Sequence, residues 1–482
     1  MFQKIQGFIP DSDDTSPGVL TDVTNMVPTL RGYAGAPSPI NVSLPALAAE
    51  CRNAAAVQIL DGSTILFAGT QTKLYKAGSS TWEDVTDAVD YTGSASSRWC
   101  FAQQGNVTLA VNKVDPSQYY LHGTSTDFDA LTGMPKASLV EAVGNFILIG
   151  DYNDGTDYVD GWGCSAIGDY TDWTADIDTQ CTYGRLYDTP GQLTALKRLA
   201  DYAIYYKRKS MYLARYVGTP SVWEFSLVSD IIGAVSNESV VRVGTTHYFV
   251  SEDNFYAYDT ASVNPIGEQI KEWFNTDCNN SKRSLIQGLH NQQAGVVYWF
   301  YPQGTSTTLN AWVAYNYRSQ KWGKGSLNIE AAVQYVYGGL TYDELDAIYT
   351  TYNSFPSVSY DDLNPTGSSL LPAIFNTSHR IQTLTGASVS SSLTSNDFGE
   401  DSVITLLSRV RARYLTSPSS ATMTNYYRNS PGDNLTTDNT STESSGKFDV
   451  LRSARWHRVK LDFTGSVEIT GADISIQKDG DE

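Results

Sequence analysis

The chain has 482 residues, with 33 Lys/Arg against 52 Asp/Glu and a formal charge of −19. That balance excludes a general phosphate-binding surface, because affinity for nucleic acid comes largely from Lys and Arg side chains that neutralise phosphates. The 31 Tyr, 16 Phe and 10 Trp set among 38 Gly fit pleated, half-buried surfaces joined by tight turns, an all-β composition poor in helix formers.

Residues 1–50 are rich in Pro, Ser and Asp, with SDDTSPG and GAPSPINVS forming turns, and read as an irregular N-terminal arm. Its opening MFQKIQGFIP lacks a charged stretch followed by an apolar one, and no apolar run in the chain approaches the ~18 residues needed to cross a bilayer; a soluble, unexported chain is expected. An Ala-rich stretch at 44–57 carries a faint helix signal, but VQIL-DG-STILFAG directly after it reads as a hairpin turning at Asp61-Gly62.

From there six aromatic residues recur at nearly even spacing: Trp82, Phe128, Trp173, Trp223, Trp273 and Trp322, separated by 46, 45, 50, 50 and 49 residues. Each closes a phrase in which an apolar strand, a polar turn, a tyrosine-bearing strand and a Ser/Thr/Asp-rich approach follow one another, as in VTLAV, QYYLHG and STDF. A repeat of about 40–50 residues made of short strands matches one four-stranded propeller blade, and a helical repeat would instead show a 3.6-residue period. Residues 51–400 are therefore expected to form a β-propeller, one unit because no blade buries its apolar face alone. Residues 326–400 keep the strand-and-turn texture without a tryptophan marker, which leaves six blades and seven both open.

Residues 401–482 change texture and are expected to form a small C-terminal antiparallel β-module. In VITLLSRVRARYL, Arg409, Arg411 and Arg413 alternate with Val410, Ala412 and Tyr414, and WHRVKLDF places Val459, Leu461 and Phe463 on one face with Arg458, Lys460 and Asp462 on the other. The polar tract NSPGDNLTTDNTSTESSG between them has little apolar area to bury and reads as a mobile loop. Residues 405–482 hold ten Lys/Arg and ten Asp/Glu, so the whole −19 lies in residues 1–404. A strand's cationic face can pair with carboxylates across a subunit boundary, which makes Arg409, Arg411 and Arg413, with Arg455 and Arg458, candidate subunit-interface residues.

Signatures of chemistry are sparse. The five histidines form no H-E-x-x-H motif and no Cys/His cluster at metal spacing, and G-x-S-x-G is absent. GWGCSA at 161–166 imitates a dinucleotide loop but precedes DYTDWTAD rather than an amphipathic helix, and reads as a blade turn. DYNDGTDYVD at 151–160 gathers oxygen ligands of the kind Ca²⁺ prefers, yet its glycine is one place early and Trp162 stands where a bidentate Glu is needed; a solvated hairpin tip is the expectation. Lys207, Arg208 and Lys209 form the one basic cluster inside the acidic propeller and read as a hairpin tip made soluble by its cations. Cys51, Cys100, Cys164, Cys181 and Cys278 have no C-x-x-C spacing and read as reduced apolar fillers. No catalytic residue, cofactor or metal is expected.

The order of these features, with NMVPTLRGYAGAPSP leading to LFAGTQTKLY and HYFVSEDNFYAYD and then to RSARWHRVKLDFTGSVEITGADISIQ, resembles the tail nozzle or hub proteins of short-tailed bacteriophages, also called packaged-DNA stabilisation proteins. The resemblance implies a structural component of the virion tail, assembled in the host cytoplasm. It implies a homohexameric ring below the portal and adaptor, with tail needle or fibres as further possible neighbours, which retains packaged DNA and passes it without sequence-specific contact. The competing reading is a glycan-binding or sialidase-like propeller: the aromatic surplus suits a sugar-binding shelf and SSTW faintly echoes the S-x-D-x-G-x-T-W turns of sialidases, although no repeat carries the full set.

Overall fold

The computed structural model describes residues 2–336, 370–430 and 432–481. The fold is all-β, a β-propeller joined to a β-sandwich. Five four-stranded antiparallel sheets follow one another along the chain. The first has strands Asn53–Gln58, Thr64–Gly69, Leu74–Ala77 and Trp82–Asp84, and the second Cys100–Gln104, Val107–Val111, Gln118–Leu121 and Asp129–Ala130. The third has Lys136–Val143, Phe146–Asn153, Asp157–Cys164 and Thr182–Arg185; the fourth Leu193–Leu199, Tyr202–Lys207, Met211–Gly218 and Val222–Ser229; the fifth Val241–Val243, Thr246–Val250, Phe255–Tyr258 and Val263–Pro265. Each is a meander whose strands pair in sequence order, with the chain entering by one edge strand and leaving by the other.

Two more antiparallel runs of four lie within a 13-stranded sheet. Gln287–Asn291, Val296–Tyr301, Leu309–Asn316 and the near half of Lys321–Val336 repeat the meander. The far half of that last strand pairs with Leu370–Asn376, which pairs with Ile381–Gly386, and Ser38–Asn41 from the N-terminal region completes the run. Ala331 and Val333 of this run bury against Ala54 and Leu66 of the first blade.

Trp82, Phe128, Trp223 and Trp322 fall at or beside the last strand of their repeats and pack against a neighbouring blade, whereas Trp173 lies on the connection before the last strand of the third blade. Phe128 stacks edge-on against Phe67 of the preceding blade at 5.3 Å, Trp223 against Phe146 at 5.5 Å, and Trp322 lies 4.7 Å from Phe255. Trp82 sits 6.0 Å from Phe375 of the far run. Such pairs contribute about 0.5–1.5 kcal/mol beyond area burial. The aromatic surplus is thereby spent in the core: Phe128, Trp173, Trp223 and Trp322 are buried. Trp273 alone of the six is on a helix, Lys271–Asp277.

The N-terminal residues depart from the expected irregular arm. Phe2–Lys4, Gly7–Phe8, Val19–Thr24, Met26–Pro28 and Tyr33–Gly35 are strands: the first and last pair with Glu468–Asp481, Val19–Thr24 pairs with Gly7–Phe8 and Ser390–Ser395, and Met26–Pro28 pairs with Tyr33–Gly35 and touches Lys324 of the propeller. Together with the C-terminal strands they make a sandwich. One layer runs from Met26–Pro28 through Tyr33–Gly35, Glu468–Asp481 and Val403–Thr416 to Phe448–Ala454, with Phe2–Lys4 alongside Glu468–Asp481. The other runs from Gly7–Phe8 through Val19–Thr24, Ser390–Ser395, Trp456–Thr464 and Ser420–Arg428 to Thr436–Thr442. Phe8, Val23, Met26, Leu393, Val410, Met423, Phe448, Leu461, Phe463 and Ile474 fill the space between them. These N-terminal strands are two to six residues long and separated by turn residues, so no periodicity announces them; for Phe2–Lys4, Val19–Thr24 and Tyr33–Gly35, partners more than 350 residues away supply ladder bonds. Tyr33 donates its hydroxyl to the Trp322 carbonyl at 2.6 Å, and Phe8 packs on Trp273 at 5.3 Å, fastening sandwich to propeller.

Two smaller expectations also yield. The Ala-rich stretch 44–57 holds no helix; its end is the innermost strand of the first blade, and the hairpin turns near Gly62 at φ +89° as expected. The tract expected to be a mobile loop contains strand Thr436–Thr442, paired along Ser420–Arg428. Threonine's branched side chain suits an edge strand whose faces are wet, and backbone ladder bonds replace the apolar burial the tract lacks.

Candidate assembly interface

The alternation read in VITLLSRVRARYL is realised on strand Val403–Thr416. Val410 and Ala412 point into the sandwich while Arg409, Arg411 and Arg413 face solvent. Arg409 donates to Asp449 at 3.2 Å and Arg413 to Asp473 at 2.8 Å, both exposed pairs of the kind that stabilise a fold little. Lys447 shares Asp449 at 3.0 Å. Arg411 stands across from Asp473 in the ladder but has no ion-pair partner among the described residues. Leu451, 82 % exposed, and Leu415, 48 % exposed, lie on the same layer. The stripe is a cationic face with aliphatic ends.

The other two candidate interface arginines do not belong to it. Arg458 reaches inward to the buried carboxylate of Asp397 and to Asp14, both at 2.5 Å, and Arg428 binds the second oxygen of Asp397. Burial works against the Arg458 cation, but the two carboxylates outweigh it and hold its pKa above the usual range. This cluster ties the N-terminal segment to the module, since Asp397 also donates its backbone N–H to the Asp14 carbonyl at 2.7 Å. Arg455 lies on the connection into the neighbouring strand and reaches the Asn429 carbonyl at 3.5 Å. Both sit in the opposite layer of the sandwich or at its margin, which the period-2 pattern alone does not reveal.

The basic hairpin tip is split in the same way. Lys207 is fully buried, and its ammonium donates to the carbonyls of Leu186 and of Thr189 at 2.5 Å. Burial lowers its pKa, so it is an internal clasp on the 186–189 loop and contributes nothing to a soluble tip. Arg208 and Lys209 do face outward, and both pair with Glu252, at 3.0 and 3.5 Å.

The acidic run 151–160 forms the ends of a hairpin between Phe146–Asn153 and Asp157–Cys164. Lys113 pairs with Asp151 and Asp157 at 2.5 and 2.8 Å, and Arg185 grips Asp160 through two bonds. Protein cations thus occupy the ligands a metal would use. Among the described residues no group of three His, Cys, Asp or Glu side chains is placed to hold a metal ion. The five thiols are buried and unpaired, and burial pushes Cys100 and Cys278 up to about 11, which keeps them protonated and unreactive. The 161–166 motif lies on strand and turn within the third blade.

The middle of the propeller was silent in the sequence. Segment 236–239, between the fourth and fifth blades, reaches innermost strands on several sides. Asn237 accepts from Leu196 N of the fourth blade at 3.2 Å and meets Cys100 of the second at 3.5 Å. Glu238 accepts from Gly288 N at 2.7 Å and lies 3.5 Å from Asn53 of the first blade. A segment touching blades this far apart lies on the axis, and Ser236, Asn237 and Ser239 are buried there. Burial raises the pKa of the Glu141 carboxyl, and the nearby cations Lys197 and Arg242 pull it back. The propeller's own axis is filled by the chain. Asn and Ser in a short connection look like any turn, so no sequence signal marks this plug.

No family model and no curated protein matches the chain. Similar solved structures include a computationally designed protein, Ika8, at 10 % identity and TM-score 0.37, covering 72 % of this chain and 99 % of that one. YCF48 bound to D1 peptide is 12 % identical at TM-score 0.39, covering 74 % and 97 %, and YCF48 from Cyanidioschyzon merolae is 11 % identical at 0.38, covering 72 % and 98 %. Among the described residues no helix is long and apolar enough to cross a membrane.

Proposed function

We propose that this chain is a non-catalytic subunit of a ring in the tail of a short-tailed bacteriophage, a nozzle or hub lying below the portal and adaptor that holds packaged DNA and conducts it at ejection. The observation that carries the reading is the filled axis: with 236–239 packed between innermost strands, a duplex has no path through one subunit. A conduit in such a protein has to be enclosed by several copies, as cyclic assembly around a shared axis provides. The charge supports the same reading. With the −19 confined to residues 1–404, a wall made by the propeller repels phosphates over a Debye length of about 8 Å and limits sticking.

In this reading the two runs inside the large sheet are the sixth and seventh blades. The seventh closes on the first because Ser38–Asn41 supplies its outermost strand, so the two ends of the repeat array are locked by one sheet. The Arg409, Arg411 and Arg413 stripe is the self-association face, six copies complete the ring, and the tail adaptor, needle or fibres contact its rims. Virus particles assembled without this chain are expected to fill with DNA and then lose it; particles that keep full genomes in its absence contradict the reading.

A further inference from the structure

The outer edges of the blades are not alike. An edge strand presents a row of unpaired backbone N–H and C=O groups, a template for another chain, and proteins blunt it by shortness, charge or proline. The first blade ends on Trp82–Asp84, three residues of which two are acids, and the second on the two residues Asp129–Ala130. The third ends on Thr182–Arg185, whose arginine is held by Asp160, and the fifth on Val263–Pro265, closed by proline. Ser38–Asn41, at the outside of the last run, carries Pro39. The sandwich's outer strands Phe448–Ala454 and Thr436–Thr442 are drawn against each other by Arg452 and Asp438. The fourth blade has none of these devices. Its outer strand Val222–Ser229 is eight residues long, and among the described residues its far side pairs with no strand. The one charge on it is Glu224, which Arg215 of the neighbouring strand already neutralises at 2.6 Å. Trp223–Leu227 pairs without a break along Tyr212–Tyr216, and register shifts bound this run at both ends. Trp223, Phe225 and Leu227 alternate onto the face turned to the third blade, where Phe225 lies 4.5 Å from Trp162 and Trp223 5.5 Å from Phe146. At one end of the run Leu227 is 49 % exposed; at the other, Tyr216, across the ladder from Trp223, is 42 % exposed. Glu224 and Ser226 are exposed on the opposite face.

We infer that this edge pairs, antiparallel, with the same strand of a second copy about a two-fold axis at Phe225. The run is its own complement. Side chains keep their faces in such a pair, so Phe225 meets Phe225 of the second copy, Leu227 meets Trp223 and the adjoining Tyr216, and Glu224 meets Ser226. Each exposed apolar side chain gains an apolar neighbour, and no two carboxylates are opposed. A second copy fits better than an unrelated strand because one symmetric register covers Leu227 and Tyr216 of both copies at once. Five paired residues a side bury less than the ~1,200 Å² of a stable complex, so the contact is weak between single copies and gains strength where several act together. The two-fold axis stands perpendicular to the sheet and sets the propeller axes of the two copies in opposite directions. The contact therefore lies outside any ring of parallel copies and joins one such ring to another, and it does not rest on the ring reading.

The test is sedimentation velocity of the full chain over a rising series of concentrations, in which pairing doubles the mass of the prevailing unit, single copy or ring. Ser226→Glu sets a second carboxylate against Glu224 twice in each pair and is expected to weaken doubling about tenfold. Ser226→Lys sets a cation there and is expected to keep doubling or strengthen it. Adding Glu224→Lys to Ser226→Glu turns the like-charged contacts into opposite ones and is expected to restore doubling, which a damaged fold does not do. Doubling that responds alike to both Ser226 variants, or to neither, overturns the inference. So does a wild type whose mass never doubles: a ring that stays single leaves the ring reading standing, and a single copy at every concentration overturns both.

Discussion

His247 gives a pH dependence that can be worked from its surroundings. It is fully buried in the fifth blade, with its Nδ1 2.9 Å from the Tyr206 hydroxyl and Nε2 3.0 Å from the Arg198 carbonyl. Burial, with Lys197 and Arg242 nearby, lowers its pKa from 6.5 to about 3, although the Arg198 carbonyl pulls the other way. The folded ring therefore stays neutral where the unfolded chain takes up a proton. Its contribution to stability is fully present above pH 6.5 and is lost as pH falls towards 3. At about 1.4 kcal/mol per unit, the drop from neutrality to about pH 4.5 is roughly 2–3 kcal/mol. His122, His290 and His457 are shifted downward by burial as well, so the effect of His247 has to be isolated. The assay is urea denaturation of the wild type and His247→Gln at neutral pH and at about pH 4.5. The variant is expected to be less stable at neutral pH, and its stability to fall by roughly 2–3 kcal/mol less on acidification. Equal acid losses in the two proteins refute the assignment of a neutral, buried imidazole.

Three further substitutions probe the packing and the internal charges. Phe128→Ala removes a buried ring that bridges the first two blades and is expected to cost about 3–5 kcal/mol in chemical denaturation, with no change if the markers are decorative. Lys207→Met strands the Leu186 and Thr189 carbonyls and is expected to cost about 1–3 kcal/mol; a neutral result removes the clasp from the account. Asp397→Asn removes the buried carboxylate that Arg428 and Arg458 share, leaving Asp14 as the carboxylate on Arg458, and is expected to cost about 3–5 kcal/mol, releasing the segment around Asp14 to faster amide exchange; unchanged exchange there contradicts the tie.

The propeller was legible because its signal repeats. Phe128, Trp223 and Trp322 each pack back on the preceding blade, so the constraint that joins neighbouring blades also writes a nearly even spacing into the chain. The alternation in VITLLSRVRARYL and WHRVKLDF was legible for a similar local reason, as strand side chains point to opposite faces every second residue. What failed depends on distance. Nothing near Val23 says that its partner lies beyond residue 390, and nothing near Thr436–Thr442 says that a ladder waits beside it. Among the candidate site residues, alternation separated inward from outward but not outward from the sandwich's other layer, so Arg458 was grouped with Arg411 although it binds Asp397. Lys207 shows the opposite failure. A lysine beside a turn is almost always wet, and only the two carbonyls aimed at its ammonium reverse that rule.

Image averages of the purified protein by electron microscopy, with the symmetry counted directly, test the central claim most directly. The account predicts closed rings of six copies around an open lumen wide enough for a DNA duplex, with each propeller's own filled axis lying off the ring centre. Single copies at every concentration, or closed assemblies with no central opening, contradict it.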